Sequence, residues 1–246
     1  MKRILLNAGS ALLAASAAAA ASSVGAVAQD EIMIEGNVAL VTDYRFRGVT
    51  QSNEELAIQG GFDLGLPSGF YVGVWGSSIG FANGTELDLY GGYGFEASSL
   101  TFDVGALAYH YPEAPGGDST TIFEVYGSVG RSFGMVDGTL GFAYIPEQDD
   151  TEFGGEKFDN TYVYLDGGVP LGESPFSLSG HVGYTDGSGL WDFSEDADGF
   201  WDWSLGVSTS AVGVDLGLTY IGTTETHPSF GLGEDQTVVF SVSKAF

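Results

Sequence analysis

From residue 33 onward, apolar and polar side chains alternate with a period of two. Between 200 and 210, Trp201, Trp203, Leu205 and Val207 alternate with Asp202, Ser204, Gly206 and Ser208. The following stretch sets Val212, Val214, Leu216, Leu218 and Tyr220 against Gly213, Asp215, Gly217 and Thr219. Phe102, Val104, Ala106 and Ala108 oppose Asp103, Gly105, Leu107 and Tyr109, and Phe123, Val125 and Val129 oppose Glu124, Tyr126 and Ser128. This period marks β-strands with one face suited to oil and one that is polar or very small. It predicts about twelve strands, at 33–47, 54–65, 70–78, 85–96, 99–111, 120–132, 137–145, 159–170, 176–185, 200–210, 212–222 and 235–246. The connections alternate in length: 66–69, 97–98, 134–136, 171–175 and 211 are short, whereas 48–53, 79–84, 112–119, 146–158, 186–199 and 223–234 are longer. With the first strand entering from the periplasm, every short turn is periplasmic and every long loop extracellular, the asymmetry of outer-membrane barrels. The expected fold class is therefore all-β: a transmembrane antiparallel up-and-down β-barrel.

Closure is the physical reason for that expectation. In hydrocarbon each unpaired backbone N–H or C=O costs several kcal/mol, so a sheet must leave no edge. Glycine on the polar faces relieves crowding where side chains converge inside a small barrel. The last strand, with Val238, Phe240 and Val242 leading to Phe246, resembles an outer-membrane assembly signal; Lys244 departs from its apolar series. Trp75, Trp201, Trp203 and Tyr220 fall near predicted strand ends, where amphipathic rings favour the headgroup layer. Packing in a soluble sandwich accounts for them equally well.

Composition sharpens the picture. Thirty-nine of 246 residues are glycine, more than twice the usual ~7%. A net charge of −26 excludes a nucleic-acid partner, and the absence of cysteine excludes disulfides and thiolate chemistry. Met1-Lys2-Arg3, the Ala-rich stretch 4–21 and Ala26-Val27-Ala28 form the three parts of a secretory signal peptide over 1–28. Residues 29–246 then form the barrel domain, with five basic residues against thirty-three acidic ones and a charge of −28.

The segment Thr42-Asp43-Tyr44-Arg45-Phe46-Arg47-Gly48-Val49-Thr50-Gln51-Ser52 resembles the opening signature of the TorF family of porin-like proteins. The stretches 57–63, 69–77, 86–93 and 239–246 also resemble that family, so the likeness spans the mature chain. The resemblance implies an outer-membrane barrel with a pore role, and it supplies no catalytic residues.

By parity, the inward positions include Glu35, Asp43, Arg45, Arg47, Asp63, Glu86, Asp88, Asp103, Glu124, Asp166, Asp202 and Asp215. A narrow lumen lined by these residues would favour small polar or cationic solutes over anions. Alternatively, Arg45 and Arg47 pair with the carboxylates and seal it, leaving a structural or adhesive barrel. Arg131 falls on the apolar parity near the periplasmic end, where it can snorkel. The expected surroundings are outer-membrane lipid and lipopolysaccharide, with no cofactor and no resident metal. The long loops carry Glu147, Asp149, Asp150, Glu152, Glu156 and Asp159, then Asp186, Asp192, Glu195, Asp196 and Asp198. These oxygens suit hard divalent cations, but Asp196-Ala197-Asp198-Gly199 lacks the bidentate Glu of a calcium loop. Two further classes stay open. A barrel hydrolase would draw its base from His110, His181 or His227, although no Gly-x-Ser-x-Gly motif occurs. A soluble carbohydrate-binding sandwich would use Trp191, Trp201 and Trp203 as stacking platforms.

Overall fold

The computed structural model describes residues 31–113, 119–153, 156–186, 199–224 and 236–246. In chain order the strands are β1 (Met33–Val41), β2 (Arg45–Phe46), β3 (Val49–Thr50), β4 (Ala57–Gly65), β5 (Phe70–Ser78), β6 (Thr85–Ala97), β7 (Leu100–Tyr111) and β8 (Thr120–Phe133). They continue with β9 (Val136–Ile145), β10 (Glu152–Phe153), β11 (Glu156–Lys157), β12 (Asn160–Pro170), β13 (Phe176–Asp186), β14 (Phe200–Ala211), β15 (Val214–Thr223) and β16 (Gln236–Ala245). Twelve of these close into one antiparallel up-and-down barrel, while β2–β3 and β10–β11 form small separate hairpins. No two-sheet sandwich forms.

The seam joins the first and last strands, Asn37 opposite Ala245 through Val41 opposite Ser241. Phe246 extends it, exchanging two 2.9 Å backbone hydrogen bonds with Gly36. Its ring meets Phe62 edge-on at 6.3 Å. A Cβ on Gly36 would lie 2.8 Å from that ring, which is why a glycine interrupts the outward series Ile34, Val38, Leu40. Two short turns take the backbone that right-twisted hairpins need: Ser98-Ser99 and Val212-Gly213 both have positive φ at both residues.

The alternation reads directly onto the two faces. Ile58, Phe62, Val72, Leu89, Val104, Val125, Leu140, Leu165, Leu205, Leu218, Val238 and Phe240 are exposed on the outside. Such a continuous apolar girdle is what a barrel standing in lipid presents. Arg131 lies outside with Phe133, its guanidinium carbon 5.2 Å from that ring centroid. Trp201 and Tyr220 also face outward and are exposed. Trp75 is a correction: it is buried inside the barrel, edge-on to Tyr44 at 5.5 Å, and takes no part in an outer aromatic belt. The first strand is a second correction. It ends at Val41 and not at 47, and residues 43–52 fold back into the barrel.

Candidate functional site

The site is the lumen and the hairpin inside it. Arg47 and Gly48 both have positive φ (48° and 79°), so the chain reverses between Phe46 and Val49 in a two-residue turn. A β-carbon on Gly48 would come within 2.7 Å of Thr223 and 2.9 Å of Asp202, so the tip reaches the wall at β14 and β15. Asp43 organises the base of the hairpin. It accepts from Thr50 Oγ1 at 2.6 Å, Ser52 Oγ at 3.1 Å and Arg45 Nε at 2.6 Å. Arg45 also donates to Gly48 O at 3.0 Å and is wholly shielded from solvent.

Arg47, at the tip, spans to the far wall. It donates to Glu124 Oε2 at 2.5 Å and to Asn160 Oδ1 at 2.6 Å, between the rings of Phe46 (4.7 Å) and Tyr162 (4.3 Å). Removing one partner of such a buried pair costs about 3–5 kcal/mol, because the other charge is left without compensation. Tyr44 donates to Glu86 Oε1 at 2.7 Å, and Phe46 meets Tyr109 edge-on at 5.7 Å. Gly80 N donates to Gln51 O at 2.7 Å, holding the far arm of the loop. The hairpin therefore touches the wall on several sides.

The remaining inward carboxylates are mostly held by tyrosine hydroxyls. Tyr90 donates to Asp63, Tyr71 to Asp103 at 2.7 Å and Tyr109 to Glu124 at 3.1 Å. Each phenol gives its carboxyl group a neutral hydrogen-bond donor. His181 is the exception. Its Nδ1 lies 2.6 Å from Asp166 Oδ1 and its Nε2 lies 2.9 Å from Asp202 Oδ1 and 2.8 Å from the Tyr162 hydroxyl. Asp88 has no hydrogen-bond partner for either oxygen among the described residues, although it is fully buried.

Nearly all the sequence-predicted lumen residues point inward. Asp43, Arg45, Arg47, Asp63, Glu86, Asp88, Glu124 and Asp202 are buried, with Glu35, Asp103 and Asp166 half-buried. Asp215 sits at the short-turn rim, accepting from Ser210. Parity placed Tyr109 and Tyr126 on the inner face, and Tyr71, Tyr90, Tyr111, Tyr162 and Tyr164, not singled out from the sequence, share the inward parity of their strands. Asn160 and Phe46 were also missed. Of the histidines, His110 bonds Thr121 at 2.9 Å on the outer face, and His227 lies outside the described residues. The ring nitrogens of His181 are taken by two carboxylates and a phenol, with no serine among its partners.

In the acidic loop 146–159, Lys157 bonds Asp149 and holds its carboxyl below the ordinary range. Both side chains are exposed, so the pair contributes little. No group of three or more His, Asp or Glu has the geometry of a metal site among the described residues. Most of the second acidic loop, Trp191 and the 1–28 segment lie outside the described residues.

The fold and this interior define a class: a closed twelve-stranded antiparallel barrel with an apolar exterior and carboxyl and tyrosine side chains on its inner face, entered by its own first loop. A family described as "Bacterial protein of unknown function (Gcw_chp)" matches residues 25–246, and the chain belongs to that family. The match does not carry the TorF name. Among solved structures, the NanC porin is similar over 87% of this chain and 98% of its own, at 8% identity and a TM-score of 0.56. A chain from a study of in-meso crystallization of membrane proteins has the same TM-score of 0.56 at 12% identity, covering 87% of this chain and 83% of its own. OccK11 (OpdR) of Pseudomonas aeruginosa matches 89% of this chain and 67% of its own, at 13% identity and a TM-score of 0.46. At these identities the first two likenesses show the fold alone, and the third carries no argument. No curated protein matches the chain.

Proposed function

We propose that this protein is an outer-membrane channel for passive diffusion of small polar or cationic solutes, delivered by a signal peptide over residues 1–28 and narrowed by the 43–52 hairpin. The observation that carries this reading is the composition of the interior. Glu35, Asp63, Glu86, Asp88 and Asp103 face inward, Asp63, Glu86 and Asp103 accepting from tyrosine hydroxyls, while Arg45 pairs with Asp43 and Arg47 with Glu124. A lumen with that surplus attracts cations and repels anions at its mouth. The apolar exterior supports a lipid setting, with lipopolysaccharide around the extracellular loops.

Planar-bilayer recording of the purified protein under a salt gradient tests it. The expected result is a reversal potential displaced toward cation preference at neutral pH. A displacement toward anions would reject the acidic-lumen reading. The complete shielding of Arg45 favours a second reading, in which the hairpin is a permanent seal and the barrel is structural or adhesive. Silence in the bilayer from a protein that still shows heat-modifiable gel migration would favour the seal.

A further inference from the structure

The tip of the inserted hairpin ends in a seat more specific than occlusion requires. Glu124, Asn160 and Tyr162 all belong to the barrel wall, on β8 and β12, and not to the loop. Together they offer a guanidinium a carboxylate at 2.5 Å, an amide carbonyl at 2.6 Å and an aromatic face at 4.3 Å. This combination suits a planar, delocalised cation; a compact metal ion would gain nothing from the ring. Asp88 adds an independent observation. It is fully buried, neither oxygen has a hydrogen-bond partner among the described residues, and it is the cross-strand partner of Tyr109, whose hydroxyl donates to Glu124. A buried carboxylate with no donor at all is one that packing leaves to be satisfied by something else. Arg47 already serves Glu124, so it leaves Asp88 unserved.

We infer that Glu124, Asn160 and Tyr162, with Asp88 beside them, form a binding site for a small organic cation bearing a guanidinium head, and that Arg47 is its built-in surrogate. The physiological use of such a site rests on the channel reading; the site itself does not. The exchange has a simple logic. If Arg47 leaves alone, Glu124 is buried without a counter-charge, so the hairpin stays in place. If a guanidinium solute takes the seat, Glu124 keeps its partner and the hairpin is free to withdraw. Neutral and anionic solutes cannot make that exchange, and the same contacts therefore gate and select.

Two measurements on the purified full chain test it. In the unaltered protein, millimolar methylguanidinium chloride should expose the hairpin to trypsin after Arg45 and Arg47, and sodium chloride at equal ionic strength should not. No difference between the two salts would overturn the exchange. In Arg47→Ala, where the loop no longer fills the seat, calorimetric titration with methylguanidinium should show one-to-one binding. That binding should weaken about tenfold or more when Glu124→Gln is added, as expected on losing a charge-assisted hydrogen bond. Absence of binding to Arg47→Ala, or binding indifferent to Glu124→Gln, would overturn the site. If Arg47→Ala does not close into a heat-modifiable barrel, Arg47→Gln keeps the side-chain length and is titrated instead, and the trypsin test stands without either variant. Bilayer recording separates this inference from the channel reading. Binding without ion conduction leaves the site and removes the channel, whereas conduction without methylguanidinium binding leaves the channel and removes the site.

Discussion

Several inward tyrosines lie over a glycine of a neighbouring strand, and this pairing explains why those positions are glycine. A β-carbon placed on Gly73 would stand 2.3 Å from the Tyr90 ring, one on Gly105 2.4 Å from Tyr126, and one on Gly141 2.0 Å from Tyr164. In each case the two residues are direct cross-strand partners. Ring over glycine lets a large phenol lie along the wall and aim its hydroxyl at a carboxylate, as Tyr90 does at Asp63. Gly141→Val is therefore expected to cost about 1–3 kcal/mol by overpacking, measured as a lower urea midpoint for unfolding in lipid vesicles. Trp75 shows how this scale is read wrongly. Its place near a strand end suggested a headgroup anchor, yet it alternates with Val72 and Val74 and shares parity with Tyr71 and Ser77. Parity was the stronger signal, because a one-residue shift turns a side chain to the other face of the sheet.

At the scale of the element, the inserted hairpin is the departure from a simple barrel. Its residues Asp43, Arg45 and Arg47 keep the odd-numbered parity of Glu35 and Asn37, across the small or apolar Ala39 and Val41. A strand continuing up the wall and a hairpin folding into a polar lumen both place alternate residues among polar groups, and periodicity cannot tell them apart. What separates them is the Arg47-Gly48 turn and the reach of Arg47 to Glu124 and Asn160, which are distant in sequence. Arg45→Ala should loosen the hairpin, since Asp43 would keep only Thr50 and Ser52 as donors. The expected cost is about 3 kcal/mol, on the order of a hundredfold more open hairpin, read as faster trypsin cleavage after Arg47. If cleavage is unchanged, Asp43 and Arg45 do not hold the loop.

For the whole molecule, two adjacent positions give a direct comparison. Leu205 faces outward and is 62% exposed at mid-strand, while Ser204 faces the lumen. Leu205→Arg is expected to cost about 2–4 kcal/mol of folding free energy in vesicles, and Ser204→Arg much less. Equal costs would mean that the outer face does not meet hydrocarbon. Closure gives a second prediction. Phe246 contributes two backbone hydrogen bonds and a ring to a seam with only five paired residues between β1 and β16. Its deletion should slow barrel closure, visible as a delayed heat-modifiable band during refolding, while the spectroscopic strand content is retained.

Local alternation settled the strands, their faces and the order of long and short connections, because each depends only on which side of a pleat a residue occupies and on turn chemistry a few residues away. The acid of the lumen followed from the same parity. Tertiary structure alone decided that the first loop turns inward, that Arg47 meets Glu124 across the barrel, and that Asp88 is left without a partner. Those contacts join residues 77 to 113 positions apart in the chain, brought together by closure of the sheet, and no short-range pattern encodes them.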